Sequence, residues 1–347
     1  MKKLLAVLTA SALALSLAAC SGADSSGSSA AASGSASQSE AASNSASAEG
    51  ASYRIAIVQQ MDHSSLDEIR AAIEAELDAR AAADGITIEY QEFNGQNDAT
   101  MLNQIGTQVV SDSYDAIIPI ASLAAQCMVT AADGDIPVVY AAISDPATAG
   151  LTDLPNVTGT SDALNTAFIM DMMFAIDPDI QTVGLLYSNS EPNSETPIAD
   201  AKAYLEEKGI AYVEATGNTT DEVLTAVSTL TDRVDAVFTP TDNVIMGAAG
   251  AVAETLTDAG IPFYAGADSF VTSGAFATCG VNYTDLGSYT ADMAVDALLS
   301  GEVPADYHVM DGGIITVNTE TAAALDLSYN AFTNMVDNVV EVTTAAE

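Results

Sequence analysis

The chain has 347 residues, 49% of them hydrophobic, no Trp, and 48 acidic residues against 8 basic ones, for a formal net charge of −40. A field of that sign repels nucleic acid and anionic lipid headgroups, so neither is expected as a partner. A solvated acidic surface accounts for it, since the Asp-x-Asp-x-Asp-Gly spacing of a calcium loop does not occur.

Met1 to Cys20 reads as a lipoprotein signal peptide. Lys2 and Lys3 form the basic start, Leu4 to Leu17 the apolar run, and Leu17-Ala18-Ala19 sets small residues before Cys20. The run falls short of the roughly 20 apolar residues that span hydrocarbon. The mature chain is therefore expected to begin at a lipidated Cys20, held on the extracytoplasmic face of the cell membrane by that anchor alone. Residues 21–52 are almost wholly Ser, Ala and Gly with isolated acids. They bury too little apolar surface to offset the entropy of ordering and read as a disordered tether, with a reach of roughly 30 Å. Such a leash suits a receptor serving a neighbouring membrane protein.

About 300 residues then remain, enough for two cores. Tyr53–Gln59 is a short β-rich run, Leu66–Ala83 has a helical apolar stripe, Ile86–Phe93 alternates like a strand, and Ala99–Val110 is helical. Asp115–Ile120 is a buried strand, Ala121–Ala132 a helix, Pro137–Ala141 a strand. The alternation restarts: helix Ala163–Ala175, strand Thr182–Tyr187, helix Thr196–Lys208, strand Ala211–Ala215, helix Asp221–Leu230, strand Asp235–Thr239, helix Val244–Ala259, strand Pro262–Ala265. Two echoes tie the halves together. YDAIIPI at Tyr114 matches VDAVFTP at Val234, and DIPVVYAA at Asp135 matches GIPFYAGA at Gly260.

The fold expected is α/β, two doubly wound parallel-sheet (Rossmann-like) lobes joined by a multi-strand hinge. The tail adds a strand (Ala277–Asn282), a helix (Leu286–Leu299) and a strand (Gly313–Val317) that return to the first lobe and back. The lobes are drawn as 53–160 plus 276–308 and 161–275 plus 309–347. Cys127 and Cys279 have no CxxC partner and lie in apolar stretches, and His63 and His308 are far apart with no ligand spacing. No metal or cofactor is expected.

In open α/β sheets, ligands settle at the carboxyl ends of the strands. The loop Tyr187 to Ser194 follows a strand and opens a helix, so hydroxyls and free N–H groups converge there; Asn193 and Ser194 are candidates to hold a ligand carboxylate, with Ser190 a further ligand-binding candidate. N-capping explains the same residues. Asp242 and Asn243, after the strand Asp235–Thr239, face the same choice between capping and a ligand ammonium. Gln59, His63, Ser122 and Asp145 follow strands of the first lobe, and Asp268 and Ser269 complete the opposite rim. Tyr140, Tyr187, Phe270 and Tyr283 are possible walls for an apolar body. Together these groups describe an amino acid.

Six segments resemble the extracytoplasmic solute-binding proteins of ABC importers, in the branch that includes tryptophan-binding lipoproteins: IAIVQQMDHSSLDEI at Ile55, AAISDPATAGL at Ala141, NVTGTSD at Asn156, GLLYSNSEPNS at Gly184, FTPTDNVI at Phe238 and NYTDLGSYTADMAVDALLSGEVPA at Asn282. The resemblance implies a type I periplasmic-binding fold, a monomer whose lobes close on one small ligand, and delivery to an ABC permease. An aromatic or branched amino acid, tryptophan among them, is the expected cargo.

Rival readings are a ligand-sensing domain for a membrane signalling partner and a sugar or nucleoside receptor. The second loses ground without Trp to stack a sugar and with only Arg54, Arg70, Arg80 and Arg233 in the chain. An enzyme is not expected, since neither a GxSxG elbow nor GxGxxG after the first strand occurs.

Overall fold

The computed structural model describes residues 50–345. The expected signal peptide, Cys20 and most of the expected tether lie outside them. The chain opens with β1 (Ser52–Gln59), α1 (Ser64–Asp84), β2 (Thr87–Asn94), α2 (Ala99–Ser111), β3 (Ala116–Ile120), α3 (Ser122–Ala132), β4 (Val138–Tyr140) and β5 (Val157–Ser161). Ile55 to Val58 and Ile117, Ile118 and Ile120 are fully buried, as strands covered by helices on both faces must be. Helix α1 buries Ile69, Ile73 and Leu77 and stops at Gly85 in the left-handed region; α2 starts where Asp98 accepts the N–H groups of Thr100 and Met101.

The second half repeats the plan with α4 (Thr166–Ile176), β6 (Thr182–Tyr187), α5 (Glu195–Lys208), β7 (Ala211–Thr216), α6 (Thr220–Ser228), β8 (Ala236–Thr239), α7 (Asn243–Met246), α8 (Ala249–Asp258), β9 (Phe263–Ala265), α9 (Asp268–Thr272) and β10 (Ala277–Gly280). Then come α10 (Tyr283–Ser300), β11 (His308–Val309), β12 (Ile314–Asn318), α11 (Thr319–Ala324) and β13 (Val339–Val342).

The two sheets run β2-β1-β3-β4-β5-β11 and β7-β6-β8-β9-β10-β12-β13. Both begin with the same order, and every pairing is parallel except β10 with β12. The echoed segments are thus equivalent strands, β3 with β8 and β4 with β9. Strand order reverses between β1 and β3 and between β6 and β8, which opens a crevice at the carboxyl end of each sheet. The chain passes between lobes at 162–165, 281–282 and 310–313.

Three expectations change. The lobe boundary drawn at 276 falls too early, because β10 pairs with β9 and β12 in the second sheet; only α10 and β11 return to the first lobe, on α1 and β5. The helix expected over Val244–Ala259 is two, broken at Gly247 and Ala248. Strand β5 was not foreseen, because its sequence VTGTS is polar. Its hydroxyls are nevertheless buried and satisfied: Thr158 donates to Asp306 O, Thr160 pairs with Thr290, and Ser161 reaches Ser144 O.

Candidate functional site

The crevices of the two sheets face each other and enclose a cavity between the lobes. From the first lobe it is lined by the turn after β1 and the start of α1, by the start of α3, and by residues after β4 and β5; from the second by the loops after β6, β8 and β9. The lobes are closed over it. The cavity left between them is about 20 Å³, room for about one water. Direct bonds cross the gap: His63 to Asn243 at 3.0 Å, Ser144 to Thr241 at 3.0 Å, Gln60 to Glu191 at 3.0 Å, Thr196 to Asp145 at 2.7 Å, and Ser65 to Ser269.

Asp162 and Asp242 are the carboxylates that line the cavity, and no Lys or Arg does. Their acceptor capacity differs. Asp242 takes Ser188 N–H and the Ser194 hydroxyl on Oδ2, both at 2.7 Å, and Ile245 N–H on Oδ1 at 3.0 Å. It caps α7 and ties the β6 loop to the β8 loop, so its lone pairs are largely committed. Asp162 accepts one hydroxyl per oxygen, Ser144 at 2.9 Å and Tyr283 at 3.1 Å. Burial pushes its carboxyl above the ordinary value, against those two donors. It keeps free lone pairs and has no cationic partner among the described residues.

Two further polar atoms of cavity-lining residues are buried without a partner, His63 Nδ1 and Asn193 Oδ1. Asn193 gives its amide nitrogen to Thr241 O at 2.5 Å. Asn243 gives its own to Glu191, so its Oδ1 accepts from His63 Nε2, leaving Nδ1 of a neutral ring as an acceptor. Burial pushes the His63 pKa down, which keeps the ring neutral. Ser122 and the start of α3 also line the cavity; Gln60 accepts the Leu123 N–H there, while the Ser144 proton goes to Asp162, Thr241 pairs with Ser144 and Ser65 with Ser269. Leu66, Ile69, Met246 and Phe270 supply the apolar wall.

Of the residues chosen from sequence, Ser122, Asn193, Asp242 and Asn243 line this cavity, with His63, Phe270 and Tyr283. Asn193 presents an acceptor there, which does not suit the carboxylate role expected of it. Gln59 does not reach the cavity: it turns into the first lobe, donating to Met61 O and Asp67 and accepting from Arg70. Its neighbour Gln60 is the one that faces the second lobe. Asp145 sits at the cleft rim, bonded to Thr148 and Thr196. Ser194 serves Asp242, exposed Ser190 pairs with Ser188, and Asp268 lies in a separate hollow with Glu68. Tyr140 is in the first-lobe core and Tyr187 bonds Glu214 outside the cleft.

Sequence reasoning missed Ser65, Ser144, Asp162, Glu191 and Thr241. Asp162 and Glu191 stood inside the quoted NVTGTSD and YSNSEPNS segments; a lone acid beside a strand of polar residues was the available signal.

Residues 54–337 match the family of ABC transporter substrate binding proteins, and the chain belongs to that family. It is 32% identical over 281 residues to a tyrosine-binding protein of Clostridioides difficile (strain R20291), across 79% of this chain and 81% of that one. Among solved structures it resembles an ABC domain in complex with L-Trp from Streptococcus pneumonia, at 30% identity and TM-score 0.76, covering 84% of this chain and 100% of that one. It also resembles the ligand-free, open form of a substrate-binding protein with adhesive properties from Clostridium difficile, at 32% identity and TM-score 0.64 over 84% and 100%. At equal coverage the ligand-bound relative superposes better than the open one, in keeping with the closed lobes here. The architecture is the type I periplasmic-binding fold. Such proteins bind small solutes outside the cytoplasm and hand them to a membrane permease. Among the described residues no helix is long and apolar enough to cross a membrane.

Proposed function

We propose that this protein is the receptor of an ABC importer for an aromatic L-amino acid, held at the membrane by a lipid on Cys20 and working as a monomer. The observation that carries the reading is the cavity's division of labour. Acceptors with spare capacity (Asp162, Asn193 Oδ1, His63 Nδ1), the start of helix α3 with Ser122, and an apolar wall of Phe270, Met246, Leu66 and Ile69 line the cavity together. A zwitterion with an apolar body satisfies all three: its ammonium replaces the counter-charge that Asp162 lacks, and its carboxylate meets the positive end of α3. The relatives that bind Tyr and L-Trp support the same class. The lobes stand closed over the cavity, so loading requires them to part and release requires them to part again.

Because the chain contains no Trp, bound L-Trp is the sole indole in the sample. Its emission is expected to shift to the blue on titration with protein, and L-Tyr to compete it away. A thermal-shift screen across amino acids, sugars and nucleosides provides the second readout, since a ligand that binds the native state raises its midpoint. Stabilisation by a sugar or nucleoside with none by any amino acid rejects the reading.

A further inference from the structure

Glu191 is 3% exposed and sits in the seam between lobes without lining the ligand cavity. Its Oε1 accepts from Gln60 Nε2 at 3.0 Å and its Oε2 from Asn243 Nδ2 at 2.6 Å. Gln60, fully buried, also donates to Asn97 at 2.9 Å and accepts Leu123 N–H at 3.0 Å, so its amide is fixed by the first lobe before it reaches across. Asn243 in turn accepts from His63 of the first lobe. The chain Gln60, Glu191, Asn243, His63 therefore crosses the seam twice through side chains that need no ligand.

Charges around this carboxyl are unbalanced. From the turn after β8 it faces Asp242, whose field opposes its ionisation; from the turn after β1 it faces His63, held neutral, across Asn243. Asp62 on that turn is exposed and engaged with Asn94. On its outer side Tyr187, Glu195 and Lys202 share a hollow with it, but Lys202 is paired to Glu214 at 2.6 Å and Tyr187 donates to the same carboxylate. No Lys or Arg pairs with Glu191 among the described residues.

We infer that Glu191 is the latch of lobe closure, a positioning residue whose carboxyl is taken out of water by the first lobe, so that closing draws one proton from solvent onto the Glu191–Asp242 pair. This rests on the receptor reading for its ligand but not for its geometry. Burial, then the Asp242 charge, pushes the Glu191 pKa up to about 8 from an ordinary 4.5. Separation of the lobes rehydrates the group and returns it toward the ordinary value. The closed form then binds the proton more tightly, so closure is favoured below the open-state value and weakens as pH rises through the window up to about 8.

Calorimetry of L-Trp binding, at a pH where scattering shows the unliganded chain open and in two buffers of different ionisation enthalpy, is expected to show proton uptake on binding, with apparent affinity falling by up to about tenfold per pH unit. The Glu191→Gln variant is expected to lose both effects. Scattering from the unliganded chain reads the latch without ligand: its radius of gyration should grow between pH 5.5 and 8.5, and not in the variant. L-Trp binding to the open chain without proton uptake, or an expansion that persists in Glu191→Gln, overturns the latch and leaves the receptor standing. Failure to bind any amino acid, with the expansion present and abolished by the substitution, sinks the receptor reading and leaves the latch.

Discussion

Ala121 stands at φ 74°, ψ 163° and Ala142 at φ 57°, both at the cavity wall and both with a Cβ that this backbone disfavours. Strain of about 1–3 kcal/mol held at a ligand clamp is a recurrent device, and here Ala121 is the N-cap residue of α3. Ala121→Gly is expected to raise unfolding free energy by about 1 kcal/mol in denaturant titration. The two cavity aspartates should separate in the same way. Asp162→Asn is expected to weaken amino-acid binding by about 30-fold or more, through loss of the ammonium's partner. Asp242→Asn is expected to lower stability by about 1–2 kcal/mol, because it unties Ser188, Ser194 and the α7 cap. The sequence could rank neither acid, since capping and ligand contact use the same residue types at the same helix starts. The Gln59 and Gln60 pair shows a second limit: both leave β1, but side chains alternate across a strand, and composition does not say on which phase the strand ends.

Helices α1 and α10 bind the tail to the first lobe. A Cβ at Gly287 would lie 2.6 Å from Ile69 O and 2.7 Å from Ala72 Cβ, so the two backbones touch where that glycine stands. Gly287→Ala is expected to lower the melting temperature by several degrees, in line with about 1–3 kcal/mol of overpacking. Elements with an apolar signature were legible at this scale, and the paired echoes located β3, β4, β8 and β9 from sequence alone. β5 and β10 were not placed correctly. Polar β5 is held by hydroxyl bonds to residues more than a hundred positions away, such as Thr290 and Asp306, and β10 differs from a first-lobe strand only in its partners. Such pairings are long-range facts that local pattern does not contain.

Across the whole molecule, the repeated strand order was readable because each half must bury its own sheet, whereas the degree of closure was not. Closure is set by a few polar contacts, His63 to Asn243 and Gln60 to Glu191 among them, whose partners come from opposite halves of the chain. The three passages between lobes have a mechanical corollary. A protease cutting any one of them divides the chain in two, but at least one fragment still spans both lobes and packing holds the other in place, so a singly nicked receptor should migrate as fragments under denaturing electrophoresis yet elute intact in native chromatography. New termini could be opened at 310–313 by circular permutation without dismantling either sheet.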